Sequence, residues 1–271
     1  MDVTDLRDLQ WERNLTSYSS GGAYLKASMP AAQGGGAKRY LKLSNYDDER
    51  GFIGFESVYE YLAAKLGIYL GFAVLDCDLL KARIIHNSRE FITYVQVTED
   101  FLQPGRSKVP FQRLYELERL TGESRLTFLR CNGFSARADE MLLFDYIIYN
   151  RDRHSNNLEF LKNGDLSLVP LFDNGVSFFA PYAGRRSEIE AFEVLSNKIT
   201  NNDFGTRYLK DNLGLIENRA LRLPVVDESL LRDRLLGIFD KDEDFPKWHQ
   251  DMVMKLIVKR MGHAQTLLDN R

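Results

Sequence analysis

Cysteine is scarce in this chain of 271 residues. Its two cysteines, Cys77 and Cys131, lie far apart and form no CxxC pair, which excludes a disulfide framework. The four histidines show no HxxxH or HExxH spacing, so a zinc site has no sequence support. No GxSxG nucleophile elbow is present, which argues against an elbow-type hydrolase. An excess of one charge sign is also missing. The 36 basic and 39 acidic residues leave a net charge of -3, and no basic stripe invites nucleic acid or an anionic membrane. Long apolar runs are absent too. The longest, near Leu66–Leu75, is too short to span a bilayer. The first ten residues, MDVTDLRDLQ, carry charge and no apolar core, unlike a signal peptide. Together these absences lead us to expect a soluble cytoplasmic protein, with no membrane and no direct nucleic-acid partner.

What the chain does have is enough apolar residues, 44%, for one large domain or two lobes that share a cleft. The first third reads mainly as strands: Ala23–Met29, Lys38–Ser44 and Glu90–Val97. The glycine run Gly34–Gly36 suits a hairpin turn. One amphipathic helix is expected from Gly54 to Leu66, stopped by Gly67. Beyond residue 98 the pattern turns helical, at Phe111–Leu120, Ala136–Tyr149, Ile189–Lys198, Glu228–Phe239 and Phe245–Leu268. A hairpin interrupts it, with Asn163-Gly164 as a type I′ turn signal. The expected organisation is α+β: a small β-rich lobe over residues 1–98 and a larger helical lobe over 99–271.

The densest polar chemistry is YNRDRHSNNLEF, Tyr149–Phe160, placed directly after the apolar MLLFDYIIY. Asp152 and Asn157 stand five residues apart in it. Asp173 follows at the exit of the hairpin, so the two ends of that hairpin bring all three together. Either acid alone more often caps a turn. Two acids and an amide oxygen converging form a hard-oxygen set suited to Mg²⁺. In phosphoryl transfer one Asp serves the attacking hydroxyl, while the Asn and the other Asp hold metal. His154 reads as support for this loop or as a general base, and a His bonded to local backbone is the plainer alternative.

Lys42 lies in the strand RYLKLS, where an edge charge is the bland reading and a phosphate-binding Lys the functional one. Its carboxylate partner would be Glu56, at the margin of the helix's apolar face, whereas Glu60 falls further round toward solvent. SSGGAYLK, with Ser19, Ser20, Gly21, Gly22 and Lys26, is glycine-rich enough for backbone N–H groups to approach phosphate, although it is neither a Walker A motif nor a full GxGxxG. The basic pair Arg185-Arg186 suits an acidic or phosphorylated group, or simply solvent.

In four places the chain resembles the HipA-like serine/threonine kinases: SSGGAYLKA, RYLKLS, FESVYEYLAAKLGI, and YNRDRHSNN followed by PLFDNGVSF. The resemblance spans roughly residues 15–180 and implies a divergent protein-kinase fold that uses ATP and Mg²⁺. It places Ser20, Gly21, Gly22, Lys26, Lys42 and Glu56 at the nucleotide. Asn157 and Asp173 fall at the metal, and Asp152 with His154 at the chemistry. Adenine would lie against backbone near Gln96–Thr98. The resemblance further implies a protein Ser/Thr substrate, a toxin-type role with an antitoxin partner, and autophosphorylation at Ser19 or Ser20. Phosphoinositide kinases write their catalytic loop with a similar DRH..N string, and Arg153 stands where the HipA-like loop usually has a second acid. A lipid or small-molecule kinase therefore stays open, as does a pseudokinase binding module.

Overall fold

In a strand, successive side chains face opposite sides, so RYLKL must send Leu41 and Leu43 one way and Tyr40 and Lys42 the other. It does. In the computed structural model, which describes residues 1–14, 21–30, 37–102 and 105–270, Arg39–Leu43 is strand β4, with Leu41 and Leu43 buried. It belongs to a six-stranded sheet with Val3–Asp5 (β1), Glu12–Asn14 (β2), Gly21–Met29 (β3), Asp78–His86 (β7) and Arg89–Glu99 (β8). The order is β1-β7-β8-β4-β3-β2. Only the β1–β7 pair is parallel. Two short strands, Tyr46–Asp47 (β5) and Gly51–Phe52 (β6), pair beside it. The sequence reading assigned no element to β1, β2, β5, β6 or β7. The other strands start or end within two residues of expectation.

One face of the sheet is a small core: Trp11, Leu25, Ala27, Leu41, Leu43, Tyr46, Ala82, Ile84, Val95 and Val97. The helix Glu56–Tyr69 (α1) joins a different, larger core with the helical region. Leu62 and Leu66 are fully buried there, each contributing roughly 1.5–3 kcal/mol. The Tyr59 hydroxyl meets His249 Nε2 at 2.7 Å, which ties α1 to the last helix.

Gly67 does not stop α1. It lies inside the helix, where a Cβ would come within 2.6 Å of Val74 Cγ2 and 3.2 Å of Phe144 Cζ. Its role is close packing. Gly71, at φ +80°, takes the left-handed turn instead.

The helical region contains Phe111–Glu118 (α2), Arg125–Leu129 (α3), Ser135–Ile148 (α4), Arg186–Glu190 (α5), Leu209–Asn212 (α6), Glu228–Leu236 (α7) and Lys247–Asp269 (α8). Ser107–Pro110 (β9), Glu159–Asn163 (β11) and Asp165–Leu168 (β12) form an antiparallel sheet in the order β12-β11-β9. The hairpin stands where expected, but its turn is not type I′. That type needs positive φ at both central residues, and here only Gly164 (φ +77°) has it, while Asn163 stays in the strand opposite Asp165. The helix expected at Ile189–Lys198 shrinks to α5, a single turn and a half. The carbonyls of Val194 and Ser196 are taken by the buried Arg260 guanidinium, at 2.7 and 2.9 Å, instead of by helical N–H groups. Asp152–Arg153 (β10) pairs in parallel with Asn201–Asn202 (β13).

Candidate active site

The other face of the sheet packs on the larger core through Leu79 and Tyr94, and its remaining part forms the roof of a cleft. Strand register aligns Lys26 with Lys42, Lys42 with Gln96, and Tyr40 with Thr98. All five side chains line the cleft, with Leu75, Glu60, Phe101, Phe172 and Asp173 among its other walls. Tyr24 lies on the same face, with its ring 5.0 Å from Lys42 Nζ.

Lys42 spans the cleft and forms an ion pair with Asp173. Burial works against the Lys42 charge. Asp173 first, and then Glu60, outweigh it, so the ammonium is held more tightly than an ordinary lysine. Burial likewise pushes Asp173 up, yet the Lys42 pair dominates and keeps its carboxyl well below the usual range.

The carboxylate behind Lys42 is Glu60, and this corrects the sequence reading. Glu60 is only 6% exposed. It receives Asn174 Nδ2 at 3.4 Å. Glu56 instead accepts the Asn45 N–H at 3.1 Å. Burial raises both carboxyls, and Lys42 draws each back down. The helical wheel misled because it assumed one solvent face. Eleven α1 residues, from Glu56 to Gly67, are buried, so a position outside the apolar stripe still lies inside the protein.

Beneath the Phe172–Asp173 wall of the cleft lies the loop after α4, the floor of the site, joined to that wall by Arg153, which donates to the Phe172 carbonyl at 3.0 Å. Tyr149 ends that helix in the left-handed region, φ +54°, and turns the chain sharply under the cleft. Asn150 donates to Asp145 Oδ1 at 2.9 Å and accepts the Asp152 N–H at 3.1 Å. Asn157 Nδ2 donates to the Asp152 carbonyl at 2.7 Å. Both backbone groups of Asp152 are thereby tied. His154 Nδ1 accepts the Asn156 N–H at 3.2 Å, while Nε2 stands 3.7 Å from Asp152 Oδ2. His154 thus braces the turn that carries Asn157.

Arg153 does not face an acceptor. It is fully buried, bonded to Asp145 at 2.9 Å, Asn174 Oδ1 at 2.6 Å and the Phe172 carbonyl at 3.0 Å. It clamps the loop onto the segment that holds Asp173. Asp173 itself has φ +58°, a strained backbone for a non-glycine residue. Sequence reasoning had no signal for Asn174 or Asp145 beyond their places beside Asp173 and inside the apolar helix.

The backbone at Gln96–Thr98 is not open to a ligand. Asp100 N donates to the Lys38 carbonyl at 2.7 Å. Antiparallel alternation then points the backbone groups of Gln96 and Thr98 at β4, and those of Val97 at Asp78 of β7. The register of β7 begins at Asp78, opposite Val97. Glu99, next on that edge, lies past the end of β7, and Glu99 and Phe101 both line the cleft. Gln96 and Thr98 contribute side chains, Nε2 to Oγ1 at 3.4 Å.

Gly21 and Gly22 open β3, while Ser19, Ser20 and Gly34–Gly36 lie outside the described residues. Arg185 and Arg186 pair with Glu188 and Glu190 of their own helix. Among the described residues no three His, Cys, Asp or Glu side chains gather as a metal cluster. The oxygen donors at hand are the Asp173 carboxylate and the Asn157 amide. That set suits Mg²⁺, which keeps several waters and takes one or two carboxylates.

No family model and no curated protein matches this chain. Solved structures do. The Helicobacter pylori proinflammatory kinase CtkA matches with a TM-score of 0.64 at 16% identity, over 99% of this chain and 98% of that one. HipA of Shewanella oneidensis MR-1, solved as a toxin–antitoxin complex with HipB and operator DNA, gives 0.46 at 16% identity, over 95% of this chain and 66% of that one. A MAP kinase of Leishmania major gives 0.29 at 12% identity, over 97% and 82%. The class is thus set: an α+β, kinase-like fold with a β-rich N-terminal sheet and a helical C-terminal region, as the motifs led us to expect. The particular likeness that carries this is to CtkA, along nearly the whole of both chains. At 16% identity it is a likeness of fold.

Proposed function

We propose that the chain is an ATP- and Mg²⁺-dependent kinase that transfers the γ-phosphoryl group to a protein Ser or Thr hydroxyl. The observation that carries this reading is the Lys42–Asp173 pair, with Glu60 behind it, in a cleft whose Phe172–Asp173 wall is bonded to the loop that bears Asp152. Tyr24 senses the whole set. Burial raises its phenol, and Glu56, Lys42, Asp173 and Asp152 all act on it electrostatically.

In this reading the base slides between Leu75 and Phe172, against the backbone edge of Glu99 and Phe101. Lys26 and Lys42 meet the phosphates. Asp173 and Asn157 would hold Mg²⁺, which when bound bridges and neutralises phosphate charge. Asp152 orients the acceptor hydroxyl and takes its proton. Positioning and charge neutralisation do most of the catalysis. Since Arg153 is a buried clamp, its departure from the HipA-like loop says nothing of the acceptor.

The test is labelled phosphate transfer from [γ-³²P]ATP to lysate proteins, wild type against Asp152→Ala and Asp173→Ala. Labelled protein Ser/Thr with wild type alone is expected. Full transfer by Asp173→Ala, or label appearing only in lipid or small molecules, overturns the reading.

A further inference from the structure

The catalytic loop is half of a two-part structure whose other half comes from a segment that carries no kinase motif. Asp152 and Asn201 stand side by side in the parallel β10–β13 pair. Asn201 N donates to the Arg151 carbonyl at 2.9 Å, and Asp203 N to the Arg153 carbonyl at 3.1 Å. Asp203 Oδ2 then receives both Ser155 N, at 2.8 Å, and Ser155 Oγ, at 2.6 Å. Around Asn201 the segment is anchored inward. Thr200 is buried, with its hydroxyl on the Arg207 carbonyl at 3.0 Å. Phe204 is fully buried, edge-on to Phe111 at 5.0 Å. Asn201, like Asp203, points back across the pair, and its Nδ2 meets Asp152 Oδ1 at 2.6 Å.

We propose that Asn201 is a positioning residue that fixes the rotation of the Asp152 carboxylate, so that Oδ1 is occupied and Oδ2 is presented to the acceptor hydroxyl. This rests on the kinase reading above. The backbone of Asp152 is already tied at both ends by Asn150 and Asn157. Its side-chain torsion is the freedom that remains, and one amide removes it. Among the described residues His154 Nε2 stands 3.7 Å from Oδ2, too far for a hydrogen bond. The site is then assembled from two stretches of chain almost 50 residues apart, and a sequence search confined to the catalytic loop misses the second.

The experiment is steady-state phosphate transfer with Asn201→Ala, Asn201→Ser and Asn201→Asp beside wild type, with thermal melts of each. Asn201→Ala is expected to lower kcat by about 10- to 100-fold, the cost of a misaimed group. KM for ATP and the melting temperature should stay near wild type, because Lys42, Asp173 and the buried anchors are untouched. Asn201→Ser restores a donor and recovers part of kcat. Asn201→Asp keeps the shape, sets a second carboxylate against the first, and falls at least as far as alanine. Wild-type kcat in Asn201→Ala overturns the inference. So does a loss that appears equally in KM for ATP or in the melt. Absence of transfer by wild type overturns the kinase reading itself, and is seen before any variant is compared.

Discussion

The floor and the roof of the cleft are held by different physics. On the floor nearly every polar group has a fixed partner: Arg153 clamps Asp145, Asn174 and Phe172, and Asn150 and Asn157 tie Asp152. These bonds are complete without a ligand. On the roof two lysines face each other across β3 and β4. Burial first, and then Lys42, press against the Lys26 charge. One carboxylate, Asp173, crosses the cleft to meet them. The floor is a matter of folding, and the roof of charge. Loss of the Arg153 clamp should therefore damage mainly the protein, and loss of the Lys42 charge mainly its chemistry.

Arg153→Leu is expected to give the largest effect. It strands the Asp145 carboxylate, only 1% exposed, without its partner. Loss of one member of a buried pair costs about 3–5 kcal/mol, so the melting temperature should fall by roughly 10 °C or more. A melt unchanged by this substitution would erase the contrast. Next comes Lys42→Met. Phosphate transfer should drop about 100- to 1000-fold, the scale of one lost charge-stabilising donor, and the melt should fall less than in Arg153→Leu, because the Asp173 carboxylate left behind is 35% exposed and keeps water.

Two smaller tests separate Glu60 from Glu56. Glu60→Gln removes a carboxylate that burial disfavours, so the melt should hold or rise while transfer falls about tenfold. Glu56→Gln weakens the acceptor of the Asn45 N–H, costing about 0.5–1.5 kcal/mol with transfer nearly intact. The reverse result would return Glu56 to the site. The smallest effect is in pH. Asp173 has a depressed folded-state pKa, so its stabilisation is present above the ordinary Asp range and is lost as pH falls below about 4. Glu60, with a raised one, acts oppositely: its contribution is present at low pH and fades as pH rises through its folded value. Melts across pH should show a flattened acid limb in Asp173→Asn and a gentler decline toward neutral pH in Glu60→Gln.

Local patterns carried far in the sequence. The strand RYLKLS was read with Lys42 inside it, and the hairpin between Asn157 and Asp173 was visible from its turn residues. Three features were not legible, each for a physical reason. Glu60 looked solvent-facing because a wheel shows one helix and not what encloses it. The Glu99–Phe101 edge depends on where β7 begins, which is a matter of register between strands. Asn201 depends on a parallel pairing between distant segments, and no spacing rule reports such a contact.

The last helix, α8, carries a consequence of its own. His249 near its start bonds Tyr59 of α1, the helix that bears Glu60. About three turns on, Arg260 donates to the Tyr146 carbonyl at 2.9 Å and stacks 4.2 Å from the Tyr149 ring, at the entry to the catalytic loop. One rod therefore gauges the distance between the roof's carboxylate and the floor's aspartate. During synthesis that rod emerges after every residue it aligns. A ribosome-bound chain that has already made Lys42, Asp152 and Asp173 still lacks the helix that joins α1 to the entry of the Asp152 loop.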